Sequence, residues 1–327
     1  MHDEPRFLYH YTTQKGLLGI MKEKQMRASN IFYLNDSSEY TFALELLEKR
    51  LIACIRKLTG TTNPYRMNPK VREAALNLAH GVPDFLNSNV SFDDAKSIFI
   101  VTLKNALQSI KQNNHYKDKD IYVLSFSARD DDLSQWRGYC PDGMGFCLEF
   151  ETQALKEHMK KEGLAIEECV YEKKEQKKKM DKLIEHSLAD FRTAFNKRNK
   201  ADEETTGERI SWFKAFRKFK GLLPILKHEA FKDEKEWRFV KELSEKDLFS
   251  GKSSLEFREG RYMIIPFLNI PLAKKSEPII MLKSIIVGPT SHKNLSEDSV
   301  RTVNALLRKH KIKGCEVRVS TIPYRIW

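Results

Sequence analysis

Strand-forming runs stand at both ends of this chain and in its middle, and long stretches of helical periodicity keep them apart. "FLYHYT" and "ASNIFYLND" lie near the start, and "DIYVLSFS" and "GFCLEFE" fall between positions 120 and 151. "EKEWRFVKEL", "RYMIIPFL", "KSIIVGP" and "CEVRVSTIPYRI" follow from Asp233 onward. Each is rich in β-branched and aromatic residues and bounded by turn formers. Between the first two groups, "EYTFALELLEKRLIACIRKL" and "SFDDAKSIFIVTLKNALQSIKQ" repeat apolar residues at helical spacing, the latter behind a candidate N-cap at Ser91. "NPKVREAALNLAHGV" opens on a turn signal and Pro69, and the basic stretch from Lys173 to about 230 also reads as helical. Strands need partners, so one sheet must draw on both ends of the chain. The expectation is a single α+β domain over 1–327 with helical insertions at about 41–114 and 173–230. "LSEDSVRTVNALLRKHKI" is a helix between the last two strands, and Pro141, Gly143 and Gly145 mark a turn after a polar loop.

Composition narrows the partners. At 327 residues and 41% hydrophobic, the chain can bury a sizeable core. Lys and Arg number 57 against 45 Asp and Glu, a net charge of +12. That surplus suits an anionic partner such as a nucleotide, a nucleic acid or a phospholipid headgroup, or else a solvated basic surface. The five cysteines, Cys54, Cys140, Cys147, Cys169 and Cys315, are odd in number and contain no C-x-x-C pair. They are expected to be reduced and mostly buried, in a cytoplasmic protein. No apolar run is long enough for a membrane span, and "MHDEPRFLYH" lacks the apolar core of a signal peptide, so no membrane partner is expected.

Common sites are missing. No G-x-G-x-x-G follows a strand, no G-x-S-x-G or H-E-x-x-H occurs, and "KDLFSGKSS" has Lys246 where a phosphate loop needs its first glycine. The nine histidines are scattered, so no metal site is expected. Five clusters mix aromatic rings with polar groups at strand ends or in loops: "YHYT", "FYLNDSSE", "SFSARDDDLSQWRGY", "FKDEKEWR" and "STIPYR". Such mixtures suit a cleft for a flat polar ligand, with rings to stack and polar groups to orient it. Arg137, Arg238 and Arg325 have the fork that grips phosphate. Each cluster also has a purely structural reading: Trp136 and Trp237 as core anchors, Arg137 as partner of Asp36 or Asp130, Glu236 as partner of a neighbouring lysine.

Taken in order, the clusters resemble a bacterial family catalogued as a domain of unknown function. Its members carry an H-Y-T start, an L-N-D-x-x-E turn, an S-F-S…Q-W-x-x-Y block, an E-x-R strand and a terminal I-P-Y-R. The resemblance runs from Leu8 to Arg325. The first zone also resembles the ADP-ribosyltransferase-like fold, in the branch with His on the first strand, Tyr on the second and Glu on a later one. Here His10, Tyr33 and Glu236 match, with Phe32 an alternative to Tyr33 and Glu234 an alternative to Glu236. Tyr11 stands after His10 where that branch usually has Gly.

The resemblance implies an α+β fold with an ADP-ribosyltransferase-like split β-sheet core and two inserted helical segments. It implies NAD or NADP as substrate, cleaved between nicotinamide and ribose, with ADP-ribose passed to a nucleic acid, a protein or water. Cleavage passes through an oxocarbenium-like state that a carboxylate stabilises. Glu236 would take that role, His10 would bind a ribose hydroxyl, and Tyr33 would stack on nicotinamide. Tyr11, Thr12, Asn35, Asp36, Ser125, Phe126, Ser127, Gln135, Trp136, Arg137, Tyr139 and Arg238 would line the cleft. A toxin, a phage-defence protein and a housekeeping modifier would share these residues. The competing expectation is a nucleic-acid-binding or processing protein that does not use NAD, supported by the net charge and by basic residues from Lys173 to Lys220.

Overall fold

"IYVLSFS", Ile121–Ser127 (β3), organises the sheet. Its alternation sends Tyr122, Leu124 and Phe126 into the main apolar core and turns Val123, Ser125 and Ser127 the other way. A computed structural model of the chain describes residues 4–34, 38–76, 90–112, 121–140, 144–198, 206–243, 255–260, 262–290 and 293–323. The chain forms two compact units. The first comprises Met1–Asn35, Lys119–Cys169 and Ala230–Trp327, and the second Asp36–Asp118 and Val170–Glu229.

The first unit is a ten-stranded mixed sheet with helices, an α+β arrangement. Its remaining strands are Phe7–Thr12 (β1), Gln25–Asn30 (β2), Phe146–Glu151 (β4), Ala165–Glu168 (β5), Glu236–Glu242 (β6), Leu255–Glu259 (β7), Ile264–Pro271 (β8), Leu282–Val287 (β9) and Glu316–Val319 (β10). Along one edge of β3, β6 pairs over the full length, from Ile121↔Glu242 to Ser127↔Glu236. The other edge is shared. β1 touches it only at Tyr9↔Ser127, and β2 only at Ser29↔Val123 and Asn30↔Tyr122. β1 continues outward through β4, β9 and β10, while β2 continues through β8 and β7. The sheet therefore splits along β3, between Val123 and Ser127.

β1 and β2 both run antiparallel to β3, so they are parallel to each other, and Gln14–Glu23 (α1) connects them. Thr13 caps α1, its hydroxyl accepting from Gly16 N at 3.2 Å. Leu17, Ile20 and Met21 of α1 pack on the same face as Leu155 and Met159 of Thr152–Lys161 (α6) and Val303 and Leu307 of Lys293–Lys309 (α9). That face is the main core. The opposite face carries Leu133–Tyr139 (α5), whose Trp136 and Cys140 cluster with Tyr11, Cys147 and Ile286. At the strand ends, Gly288 N donates to Gly145 O at 2.8 Å. A Cβ on Gly288 would stand 2.9 Å from that carbonyl and 3.1 Å from the Trp136 ring, so only glycine allows this closure.

Two expectations are corrected. Tyr33 is not on a strand: β2 ends at Asn30, whose side chain accepts from Phe32 N at 3.1 Å and caps a 3-10 turn over Ile31–Tyr33. β1 and β2 share an edge of β3 and diverge. The polar loop expected after β3 contains α5, capped by Asp132, whose carboxylate accepts from Ser134 N at 2.8 Å and Gln135 N at 3.3 Å.

The second unit is helical among its described residues: Ser38–Thr59 (α2), Pro69–Leu76 (α3), Phe92–Gln112 (α4), Lys173–Arg198 (α7) and Thr206–Leu222 (α8). Ser91 caps α4, accepting from Asp94 N at 3.1 Å. Leu47, Leu51, Phe99, Phe191 and Phe219 are buried, and the Phe99 and Phe191 rings lie 4.5 Å apart. The Lys227 ammonium meets the Glu39 carboxylate at 2.9 Å with the two side chains only 3% and 8% exposed. Among the described residues no helix is long and apolar enough to cross a membrane.

Candidate functional site

The face on which a strand residue lies follows from pairing, because directly paired residues share a face. Ser127 pairs with Tyr9 on one side and Glu236 on the other, and Ser125 pairs with Arg238. Tyr9 packs against the Tyr11–Trp136 cluster. Tyr9, Tyr11, Ser125, Ser127, Glu236 and Arg238 thus occupy the face that carries α5. His10 belongs to the other face. It alternates with Tyr9, pairs with core residue Leu148, and sets its ring 5.5 Å from that of Phe126.

Glu236 is the first residue of β6 and is 4% exposed; Arg238 is 3% exposed. The guanidinium grips the carboxylate in a fork, Nε to Oε1 at 2.7 Å and Nη2 to Oε2 at 3.0 Å. The Cys169 thiol donates to Oε2 at 3.8 Å, and Cys169 N donates to the Glu236 carbonyl at 2.9 Å. The carboxylate is therefore a fixed, oriented negative charge. Its described cationic partner is an arginine two residues along the same strand. Arg238, expected as a ligand contact, acts here on Glu236. Glu234 lies half-buried in the turn before β6, its carbonyl accepting from the Ser127 hydroxyl at 2.7 Å.

His10 sits where the sheet splits. With β6 on its other edge, β3 presents the Ser125 carbonyl toward the opening, and His10 Nδ1 meets it at 3.0 Å. A carbonyl only accepts, so Nδ1 carries the proton and Nε2 is the acceptor. Burial lowers the His10 pKa below its ordinary value, against the opposing effect of the Ser125 bond, and keeps the ring neutral.

The three aspartates of "ARDDDL" have three separate sets of partners. Asp130 meets Arg318 at 3.0 Å, and Arg137 lies on the exposed side of α5 with Tyr139. Asp131 takes the Trp136 indole N–H at 3.0 Å, Thr321 N at 2.7 Å, the Thr321 hydroxyl at 2.9 Å and the Ser320 hydroxyl. Burial pushes its pKa up, but these donors outweigh burial and hold it below the ordinary value. Asp132 caps α5, and its N–H donates to the Tyr11 hydroxyl at 3.0 Å, which in turn donates to Arg129 O at 3.0 Å. "STIPYR" is thereby tied to "QWRGY" through one carboxylate. Trp136 is a core anchor, 2% exposed, and Trp237 packs against the main core.

The structure brings together Tyr11, Ser125, Ser127, Trp136, Glu236 and Arg238 on one face, with Gln135 buried on α5 next to Trp136. It sets His10, Thr12 and Phe126 on the other face and Tyr33 on a turn. Asn35, Asp36 and Arg325 lie outside the described residues. Two participants were missed. Tyr9 is the "YHYT" residue level with Glu236, about 10 Å away at two strand spacings. Its alternation with His10 was the available signal. Cys169 had none, because its partner Glu236 is far along the chain. Burial first, then Glu149 and Asp130, raise the Tyr9 pKa, so it stays a neutral phenol.

Among the described residues no group of three His, Cys, Asp or Glu is arranged to hold a metal. No curated protein and no solved structure matches the chain. Residues 135–239, from Gln135 on α5 to Phe239 on β6, are similar to a family described as a protein of unknown function (DUF2971), a span that contains Trp136, Cys169, Glu236 and Arg238.

Proposed function

We propose that the first unit is an ADP-ribosyltransferase-like domain that binds NAD or NADP and cleaves the nicotinamide–ribose bond, transferring ADP-ribose or releasing it to water. The observation that carries this reading is the buried Glu236 carboxylate, held in a two-point fork by Arg238 at the start of β6. An oriented carboxylate stabilises the positive charge that develops on the ribose as nicotinamide leaves. The divergence of β1 and β2 from one edge of β3 supports the split-sheet core of that fold. His10 stands in the opening with Nε2 as acceptor for a ribose hydroxyl. Tyr33, or Phe32 beside it, supplies the stacking ring from the turn that follows β2.

His10 and Glu236 lie on opposite faces, so this reading requires the dinucleotide to reach both across the split in the sheet. Arg238 is then a positioning residue for Glu236 rather than a pyrophosphate contact.

Nicotinamide release from NAD and from NADP, measured for wild type, Glu236→Gln and His10→Ala, tests the reading. Loss of about 10²-fold or more in both variants, with folding retained, is expected. Loss in Glu236→Gln alone removes His10 from the site and keeps the chemistry. No release by wild type, with no nucleotide binding by calorimetry, overturns the reading.

A further inference from the structure

We infer that the first three turns of α7 form a docking face for the phosphate backbone of a nucleic acid. "KKEQKKKMDK", residues 173–182, holds six lysines against Glu175 and Asp181, a net +4. The whole chain carries +12, so a third of its excess charge lies in ten residues. The sequence allowed the entire stretch from Lys173 to Lys220 as a basic surface, and the structure narrows it. Lys220 is buried, and Lys218 is paired with Asp190 at 3.2 Å. The lysines of 173–182 are all exposed. Among the described residues Lys174, Lys177 and Lys182 make no ion pair, and Asp181 is occupied by Arg50 at 2.6 Å.

Lys174, Lys178 and Lys182 follow i, i+4, i+8 and so form one row about 12 Å long. Like charges at that spacing repel, and cations in the first turns of a helix oppose its dipole. Both effects disfavour this arrangement in the isolated protein, and a bound polyanion relieves both. A duplex strand presents a phosphate about every 3.4 Å along its axis, so the row covers three to four of them.

The same face argues against a bilayer. Met180, the apolar residue of 173–182, is buried, leaving no exposed apolar side chain in that stretch to enter a membrane. Recognition is by charge alone, so binding is expected to be indifferent to sequence and steeply dependent on salt.

The test uses the full chain and a labelled generic duplex, titrated by fluorescence anisotropy at several salt concentrations, beside phosphatidylserine vesicles. Wild type is expected to bind the duplex and not the vesicles. The triple variant Lys174→Glu, Lys178→Glu, Lys182→Glu should bind at least tenfold more weakly, with the salt slope reduced by about 2 to 3. The three positions are exposed and glutamate suits the start of a helix, so helical circular dichroism should be retained; if it is not, the triple Lys→Gln variant replaces it. Lys218→Glu, off this row, should bind as wild type. No duplex binding by wild type, equal binding by the triple variant, or binding to vesicles in preference to the duplex would each overturn the inference. Nicotinamide release is a separate readout, so this proposal and the NAD reading fail independently.

Discussion

Among the described residues each unit buries an ion pair between residues of the polar-aromatic clusters or their neighbours, and these two pairs are built differently. In the sheet unit, Glu236 and Arg238 are two residues apart on one strand, and the guanidinium meets both carboxylate oxygens. In the helical unit, Glu39 at the start of α2 meets Lys227 from the far end of that unit's second segment, through the contact at 2.9 Å. The fork fixes the carboxylate in orientation as well as in charge, which a site acting on a developing positive charge requires. The lysine contact neutralises a carboxylate and ties two remote segments, which is a task of folding. The Lys227 backbone does the same work: its N–H donates to Val170 O at 3.1 Å, and its carbonyl accepts from Gln176 Nε2 at 2.7 Å.

The largest effect should come from removing one partner of either pair. Lys227→Met and Arg238→Met each take a cation away from a buried carboxylate, and each should destabilise its unit by about 3–5 kcal/mol in urea unfolding. Replacing both partners of the helical pair, Glu39→Leu with Lys227→Met, should recover most of that loss. A double variant no better than the single one would show that Glu39 holds the unit through contacts other than its charge.

A smaller effect separates the fork from the point contact. Arg238→Lys keeps the charge and loses the two-point grip, so stability should fall by about 1–3 kcal/mol, less than for Arg238→Met. Nicotinamide release should fall with it if the orientation of Glu236 matters to catalysis. Arg238→Lys with full activity would reduce the sheet pair to the status of the helical one.

The smallest effect is in pH. His10 has a lowered pKa in the folded state, so the unfolded chain binds more protons below histidine's ordinary value of 6.5, and stability falls as pH drops through that region. Asp131 is also lowered, so its contribution is present above 3.8, the ordinary carboxylate value, and is lost as pH falls below it. Stability measured against pH should therefore decline in two steps, and His10→Gln should shrink the upper one, to which His310, also lowered by burial, contributes, and leave the lower one intact. An unchanged upper step would place its cause elsewhere in the chain.

Much of the sheet was legible from local pattern. The strands at 121–127, 236–242 and 282–287, the helix α9 and the Ser91 cap follow from alternation, helical period and a side chain that bonds its own neighbours. The helix α5 was not read, although Asp132 followed three residues later by Gln135 is a recognised start signal; seven residues hold too little period to show. The two-residue strand contacts at the split were invisible, because nothing local distinguishes a strand that pairs along its length from one that touches and leaves. The site divides along the same line. Sequence marked the aromatic and charged clusters and put Glu236 at a strand start, because strand propensity, alternation and charge are properties of neighbouring residues. Only tertiary structure put His10 and Glu236 on opposite faces, tied Asp131 to Ser320 and Thr321, and gave Glu39 its lysine. Those outcomes depend on which strands share an edge and which segments meet across almost two hundred residues. That selection is made by the packing of the whole core, and no short stretch of sequence contains it.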